Sequence, residues 1–269
     1  MNHHVTSNCE VCPVNRSEHL RRLGLDVTEF DFIVALAGNP NVGKSTVFNA
    51  LTGLRQHTGN WPGKTVVRAE GAFAFSGKRF KAVDLPGTYS LLSTSVDEEI
   101  ARDFILFGRP DVTIVVLDAT RLERNLNLAI QVLEITDRVV LALNLIDEAK
   151  RHGLELDDRG LGRELGVPVV PMAARNGVGV NELLQTIAGV ADGSIACRPR
   201  RLAGTSRSVT GGVDKLEKML ISAYPHLPSA RWVALRLLDG DPAIEEAVRN
   251  GTIGTIRAES NAIANTTTV

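Results

Sequence analysis

The chain has 269 residues, of which 43% are hydrophobic, and its 30 basic and 31 acidic side chains leave a formal net charge of -1. This length favours one domain of about 160–170 residues followed by a smaller one, and the lack of a long single-sign charge block gives no support to a nucleic-acid surface. The longest apolar runs have the length of strands, and residues 1–28 lack an apolar signal core, so we expect a soluble chain in the reducing cytosol.

Residues 1–30 show no clear periodicity, and we interpret them as an N-terminal extension that behaves as a mobile tail. The extension contains a C-x-x-C pair with histidines nearby, namely Cys9, Cys12, His3, His4 and His19. Such a group can bind a soft metal or cycle as a dithiol. No second C-x-x-C or paired-histidine motif completes a set of four ligands, so we favour free thiols for both cysteines and for Cys197.

A glycine-rich loop follows the first predicted strand, residues 32–37, and precedes a predicted helix that starts at Thr46. The loop fits the pattern G-x-x-x-x-G-K-[ST], in which backbone N–H groups point at a phosphate. Lys44 can then reach the outer phosphates, and the Ser45 hydroxyl can ligate Mg²⁺. The nucleotide contacts predicted here are Gly38, Asn39, Asn41, Val42, Gly43, Lys44, Ser45 and Thr46. The alternative is a chance glycine turn, which the motifs further along the chain make implausible.

Strand and helix patterns alternate over residues 31–192 in the way that builds a parallel sheet covered by helices. The predicted elements are a hairpin over 65–75 and 79–83 with a turn at Ser76-Gly77, buried strands at 112–118, 139–144 and 167–171, and helices at 122–135 and 180–190. The prediction for this part of the chain is a three-layer α/β nucleotide-binding domain.

Strand signals stop after this domain, where a polar link with the basic run 198–201 begins. We favour a solvated linker for the basic run over a contact with phosphate or acidic lipid. Beyond the link, only helical periodicity remains, in segments that contain Val213, Trp232 and Ile244. Residues 193–269 are therefore predicted to form a linker and a small helical bundle.

Three further motifs lie where predicted strands end, the place where open α/β sheets bind ligands. Asp84-Leu85-Pro86-Gly87 offers a carboxylate that can hold Mg²⁺ through water and a glycine N–H that can sense a γ-phosphate. Asn144-Leu145-Ile146-Asp147 offers a carboxylate that can accept hydrogen bonds from the guanine ring N–H and from its exocyclic amine, which adenine lacks. Ala173, Ala174 and Arg175 follow the last strand, where the Ala174 N–H is expected to meet the guanine oxygen. Each motif alone also fits a helix cap or a turn, whereas their order indicates a site for GTP or GDP.

The order G-x-x-x-x-G-K-S, D-x-x-G and N-x-x-D resembles the translation-factor-related class of Ras-like small GTPases over residues 31–192. Three stretches narrow the resemblance: residues 38–46, the run Gly59-Asn60-Trp61-Pro62-Gly63-Lys64-Thr65-Val66, and residues 84–91. Together they resemble the N-terminal cytosolic G domain of the bacterial ferrous-iron transporter family FeoB, and residues 231–241 are similar to that family's helical domain, which slows GDP release. The resemblance implies a Ras-like P-loop GTPase fold, with a mixed, mainly parallel six-stranded sheet and helices on both faces, plus a small C-terminal helical domain.

The resemblance also implies roles for particular residues. Thr65 becomes the switch I threonine that ligates Mg²⁺ in the GTP state, with Gly63 and Lys64 beside it, while Asp84 and Gly87 belong to switch II. The implied activity is slow hydrolysis of GTP to GDP and phosphate, which regulates a ferrous-iron permease at the cytoplasmic face of the bacterial inner membrane. The family's transmembrane half is missing from this sequence, so the chain is expected to be either a fragment or a free-standing relative. In a full-length protein, the expected partner is the transmembrane permease portion of the same polypeptide. Homo-oligomerisation is left open, and no nucleic acid is expected.

Two other classes of protein share part of this pattern. An RNA- or ribosome-associated GTPase has a similar glycine-rich loop but needs a basic RNA-binding module, whereas residues 211–269 carry mixed charge. A P-loop kinase would have no need of Asn144 and Asp147. The FeoB-like GTPase is therefore the preferred interpretation.

Hydrolysis needs a charge-neutralising group, because Thr88 stands where Ras-type proteins place the glutamine that orients water. Asn41 resembles the asparagine that potassium-activated relatives use, together with switch I carbonyls, to coordinate K⁺. We therefore expect Asn41, Lys44 and Thr65 to support catalysis. The alternative for Asn41 is that asparagine merely tolerates a left-handed turn.

Overall fold

The structure is a computed structural model that describes residues 20, 21, 23–26, 28–53, 56–92, 95–201, 207–225, 227–251 and 253. Cys9, Cys12 and the neighbouring histidines lie outside the described residues, and so does the hypothesis of a metal or dithiol site there. Within the described ranges, no helix combines the length and the apolar character that a membrane span requires.

A seven-stranded sheet forms the centre of the larger domain. Its strands are β1 (Phe32–Gly38), β2 (Gln56–Asn60), β3 (Val67–Phe75), β4 (Lys78–Asp84), β5 (Val112–Asp118), β6 (Val139–Asn144) and β7 (Val169–Pro171). The order across the sheet is β2-β3-β4-β1-β5-β6-β7, with parallel pairing from β4 through β1 to β7 and antiparallel pairing of β3 with β2 and with β4. The glycine-rich loop therefore leaves the central strand, β1.

The α/β fold and the mixed, mainly parallel sheet are confirmed, but the expected number of six strands is wrong. The additional strand is β2, which pairs with β3 from Gln56 opposite Gly71 to Asn60 opposite Val67. Residues 57–60 are exposed, so backbone hydrogen bonds at the sheet edge define β2 without the apolar alternation that marks a strand in a sequence.

Helices cover the sheet and form the smaller domain. They are α1 (Lys44–Thr52), α2 (Val96–Asp103), α3 (Leu122–Ile135), α4 (Ile146–Arg151), α5 (Asp158–Leu165), α6 (Val180–Asp192), α7 (Arg207–Ala223), α8 (Ala230–Leu238) and α9 (Pro242–Arg249). A π-helical turn, Phe104–Gly108, continues α2. The helices predicted at 122–135 and 180–190 are confirmed as α3 and α6, and the three C-terminal helical segments as α7, α8 and α9.

The sheet is buried on both faces, as expected for a mainly parallel sheet. In β1, Ile33 and Ala35 enter one apolar cluster, whereas Val34 and Leu36 enter the cluster on the opposite face. Packing on both faces therefore fixes the carboxyl ends of the strands, where the predicted motifs lie.

Part of the N-terminal extension belongs to this core. Leu20, Leu23 and Leu25 have exposed fractions of 1%, 7% and 1% and share a cluster with Trp61 and Phe104. The expectation of a mobile tail is therefore wrong for the described residues 20, 21 and 23–26. The spacing of these leucines, three residues and then two, fits neither a helix nor a strand alone, which explains why no periodicity marks the segment.

The smaller domain packs against the larger one. Trp232 and Val233 of α8 lie in the same apolar cluster as Leu133 of α3, and the Ser229 hydroxyl donates to the Ile135 carbonyl at 2.5 Å. The described part of the link bonds to the larger domain, since the Arg198 N–H donates to the Gly166 carbonyl at 2.8 Å.

The basic run in that link forms exposed ion pairs. Arg200 approaches Glu164 at 3.4 Å, and Arg201 approaches Asp137 at 2.6 Å. Exposed pairs of this kind contribute little stability, and the preference for a solvated linker over a contact with phosphate or acidic lipid stays a prediction.

Candidate nucleotide-binding site

The glycine-rich loop turns through two residues in the left-handed region, Asn41 with φ 67° and Gly43 with φ 82°. A Cβ atom at Gly43 would collide with the side-chain amide of Asn144, so this position needs glycine for space as well as for φ. The φ of Asn41 agrees with the alternative in which asparagine tolerates a turn, and its side chain is exposed. No described side chain caps the start of α1, so the first N–H groups of this helix are directed at an anion site.

Side chains around the loop differ in what they can offer a ligand. Ser45 and Thr46 are exposed in the first turn of α1, so their hydroxyls are accessible. Asn39 is only 3% exposed, and neither atom of its amide has a hydrogen-bond partner among the described residues. We therefore expect Asn39 to contribute its backbone, not its side chain, to a phosphate site.

Lys44 and Asp84 form an ion pair between the loop and the end of β4, with side chains 11% and 15% exposed. Desolvation raises the pKa of the Asp84 carboxyl, and the attraction of Lys44 partly offsets this effect. A carboxylate in such a position is stabilised by a nearby cation. Hydroxyl and carboxylate oxygens are ligands that Mg²⁺ prefers, so Ser45 and Asp84 fit a magnesium site once Lys44 turns to the phosphates.

Asn144 joins three loops of the site. It is 2% exposed, its side-chain N–H donates to the Val42 carbonyl at 3.0 Å, and its oxygen accepts from the Ala174 N–H at 3.0 Å. The expectation that the Ala174 N–H meets the guanine oxygen therefore does not fit the structure, because Asn144 already occupies that donor. Neighbouring Ala173 also bonds within the chain, since its N–H donates to the Val178 carbonyl.

Asp147 lies in the first turn of α4, after Leu145 in the left-handed conformation with φ 65°. The side-chain amide of Asn176 donates to the Asp147 carboxylate at 3.3 Å. The sequence analysis missed Asn176, although its place in the turn after Ala173–Arg175 is the signal that points to it. Because this contact uses one carboxylate oxygen, Asn176 can orient Asp147 towards a ligand.

The two predicted switch regions are arranged differently. Gly87 lies against the glycine-rich loop, with its Cβ position 3.4 Å from Pro40, and the Thr88 N–H donates to the Gly38 carbonyl at 3.2 Å. Thr65 is exposed, and among the described residues its hydroxyl makes no hydrogen bond to the loop or to Asp84. Switch II is therefore brought to the loop in this structure, whereas the Thr65 side chain is not.

Lys64, beside Thr65, is directed to another part of the molecule. Its ammonium group donates to the Glu99 carboxylate at 3.2 Å. Glu99 is held in the first turn of α2, where the Ser95 hydroxyl caps the helix by accepting from the Glu98 N–H. The Lys64 side chain is thus paired with α2 in this structure, and its contact with a nucleotide stays a prediction.

Comparison with known proteins identifies two matching family models. The family described as Ferrous iron transport protein B matches residues 32–187, and the FeoB cytosolic helical domain matches residues 206–268. A curated relative from Escherichia coli (strain K12), named Fe(2+) transporter FeoB, is 41% identical over 212 residues. That alignment covers 77% of this chain and 27% of the relative, so the chain spans about a quarter of the length of the curated relatives it matches.

Solved structures of similar sequence share the architecture. The cytosolic domain of the T. maritima FeoB iron transporter in GDP form I aligns with a TM-score of 0.74 and 38% identity, over 86% of this chain and 88% of that one. The same domain in GMPPNP form aligns with a TM-score of 0.73 and 38% identity, over 86% and 88%. Because the sequence identity and the coverage are both high, the similarity applies to the family as well as to the fold.

Proposed function

This chain belongs to the ferrous iron transport protein B family, as its motifs predict, and from that membership we propose that it binds GTP and GDP and hydrolyses GTP slowly. The observation that carries the proposal is the bonding of Asn144, which connects the glycine-rich loop to the segment after β7, where Asn176 contacts Asp147. The relatives described in GDP and GMPPNP form support the same ligand class. The alternative of an RNA-associated GTPase is not retained, because the family match covers the domain after the linker as well.

Different residues bind the phosphates and the base of the nucleotide. Backbone N–H groups of the loop and of α1 bind the phosphates, and Lys44 leaves Asp84 to contact them as the nearest fixed cation. Asp147, oriented by Asn176, accepts two hydrogen bonds from guanine. An adenine base has no amine at that place and leaves the carboxylate partly unpaired, so the site prefers guanine.

Hydrolysis requires that water attack the γ-phosphorus while the bond to the β–γ bridging oxygen breaks. Ser45, Asp84 and Thr65 would hold Mg²⁺, and Asn41 with switch I carbonyls would hold K⁺. When bound, these ions supply positive charge against the negative charge that develops on the phosphate oxygens. The chain's own part is to align the phosphates through the loop and to exclude adenine nucleotides through Asp147.

In the cell, the proposed role is to regulate a ferrous-iron permease that the remainder of the same polypeptide forms, at the cytoplasmic face of the bacterial inner membrane. The curated relatives support this role, since this chain corresponds to 27% of the first of them. In the full-length polypeptide, Lys44→Ala should reduce uptake of ferrous iron by cells. Uptake that continues unchanged would contradict a regulatory role for the nucleotide.

The biochemical test compares binding of GDP, ADP and a filter-retained RNA. We expect GDP to bind in the presence of Mg²⁺, with ADP far weaker and RNA not retained. Lys44→Ala should lose GDP binding, because the phosphates then lack their fixed cation, and the exposed Lys218→Ala in α7 is the matched control. Unchanged GDP affinity in Lys44→Ala would contradict the phosphate assignment.

A further inference from the structure

Residues 20, 21 and 23–26, here called the N-terminal clasp, pack beside the loop 61–66 that carries Thr65. This loop joins β2 to β3, and the Trp61 N–H donates to the Val66 carbonyl at 3.0 Å, which closes it as the turn of a hairpin. The clasp precedes residues 32–187, to which the family model applies. Its relation to the loop is therefore a property of this chain that the family match does not describe.

Apolar contacts hold the clasp in the core. A Cβ atom on Gly108 would lie 3.4 Å from a methyl group of Leu23 and 3.5 Å from one of Leu20, so these leucines fill the space over the π-helical turn. Between them, the clasp closes on itself, since the Leu25 N–H donates to the Leu20 carbonyl at 2.9 Å. The clasp is thus folded and packs at a defined position in the apolar core.

A buried network of charges ties the clasp to β3 and β4. The Arg68 guanidinium donates to the carbonyls of Leu23 and Gly24, the second at 2.9 Å, and pairs with Glu70 at 2.7 Å. Lys81 pairs with the other oxygen of Glu70 at 2.6 Å and donates to the Asp26 carbonyl at 2.7 Å. All three side chains are about a tenth exposed, at 9%, 11% and 10%, so the clasp carbonyls accept donors that few water molecules can reach.

The contacts of Arg68 and the clasp also extend to both ends of the loop 61–66. Arg68 follows the loop by two residues, and its guanidinium lies 5.4 Å from the ring centre of Trp61, the first residue of the loop. Trp61 is 3% exposed and packs edge-on against Phe104 at 5.6 Å. At Gly24, with φ 75°, an added Cβ atom would lie 3.4 Å from the ring of Pro62, so the clasp backbone passes close to this proline.

We propose that the N-terminal clasp positions switch I, holding the loop 61–66 in the conformation in which Thr65 faces solvent. Arg68 is the positioning residue through which it acts. This inference rests on the proposed function, in which Thr65 joins the site only with GTP. In this proposal, the clasp stabilises the conformation with Thr65 in solvent, which is compatible with GDP, and does not stabilise the conformation with Thr65 at the site, which GTP requires. It therefore favours GDP over GTP by the difference between these two stabilisation free energies.

The test measures affinities for GDP and for GMPPNP, both with Mg²⁺, on the whole chain. Leu23→Ala removes apolar contacts of the clasp, and Arg68→Lys keeps the charge beside Glu70 but gives up the forked contact with two carbonyls. Both variants should shift the affinity ratio towards GMPPNP by about fivefold or more, the lower end of usual couplings between sites. The matched control is Leu183→Ala, a fully buried leucine of α6 in the opposite apolar cluster, which should leave the ratio unchanged.

A ratio within twofold of wild type in the clasp variants would overturn the inference, and so would an equal shift in Leu183→Ala, which would indicate a general effect of destabilisation. If Leu23→Ala does not fold, Arg68→Lys decides the question alone. The outcomes also separate the two proposals. A wild-type chain that binds neither nucleotide refutes the proposed function, whereas a chain that binds both with an unmoved ratio refutes only the clasp.

Discussion

Asn144→Ala should destabilise the protein before any nucleotide is present. In the structure, the side chain already forms two hydrogen bonds, to the Val42 carbonyl and from the Ala174 N–H, at a position 2% exposed. Alanine leaves both backbone groups buried without a partner. Each unsatisfied group costs about 1–3 kcal/mol, so the free energy of unfolding should fall by roughly 2–6 kcal/mol.

The assay is urea denaturation without nucleotide, with Asn125→Ala as the control. Asn125 is a similarly buried asparagine, 3% exposed, whose amide donates to the Arg121 carbonyl at 2.8 Å and whose oxygen has no partner among the described residues. Arg121 is exposed, so its carbonyl can bind water once the amide is removed, and that variant should lose only the roughly 0.5–1.5 kcal/mol of an ordinary hydrogen bond and keep its GDP affinity.

Asn144→Ala should lose both stability and GDP affinity, because the glycine-rich loop is no longer anchored. The reasoning would be refuted by an Asn144→Ala protein that unfolds with the free energy of wild type yet binds GDP poorly. That result would mean that the bonds of Asn144 form only when the nucleotide is present.

Four further predictions concern the site. Because burial raises the pKa of Asp84 above its ordinary value of 3.8, the folded protein binds this proton more tightly than the unfolded chain, and stability is lost as the pH rises through the raised pKa. Asp84→Asn has no such proton to lose. In urea titrations, its free energy of unfolding relative to wild type should therefore increase between a pH below 3.8 and neutral pH. A difference between the two proteins that stays the same at every pH would contradict the assignment. Asp147→Asn should weaken GTP by about 10- to 100-fold, through loss of hydrogen bonds to a charged group, and should favour xanthosine triphosphate in competition assays; continued preference for GTP would show that Asp147 does not contact the base. Thr65→Ala should spare GDP binding and lower single-turnover hydrolysis by about 100-fold, as for loss of one transition-state contact, whereas equal losses with GDP and GTP would make Thr65 structural. Hydrolysis should be faster in KCl than in NaCl at equal ionic strength, and Asn41→Ala should abolish the difference while still binding GDP; identical rates for the unmutated chain would end the potassium hypothesis.

Much of the larger domain was predictable because its signals are local or depend only on strand direction. The apolar runs of β5 and β6 match the predicted bounds of 112–118 and 139–144. Motifs at the carboxyl ends of parallel strands must meet at one edge of a sheet, so the approach of Asp84 and Asn144 to the glycine-rich loop follows from their places in the sequence.

What the sequence did not predict depends on long-range hydrogen bonds. The clasp carbonyls bind Arg68 and Lys81, which lie 44 and 55 residues further along the chain, and no local pattern marks a carbonyl that will accept a buried cation. Strand β2 is similar, because it is defined by pairing with β3 and lacks apolar alternation. The donor of Ala174 was assigned to the guanine oxygen because its capture by Asn144 is visible only once β6 and β7 are adjacent.

The hydrogen bond that anchors the glycine-rich loop can form only after both of its partners have been synthesised. Val42 and Asn144 are 102 residues apart, so at ordinary elongation rates roughly 5–20 seconds separate the emergence of the two partners from the ribosome. Within that interval, β1 gains first β4 and then β5 as its neighbours in the sheet. Ala174 follows Asn144 by another 30 residues. A nascent chain therefore carries the whole phosphate loop long before it can hold a nucleotide tightly, and ligand binding becomes available late, as the last strand joins the sheet.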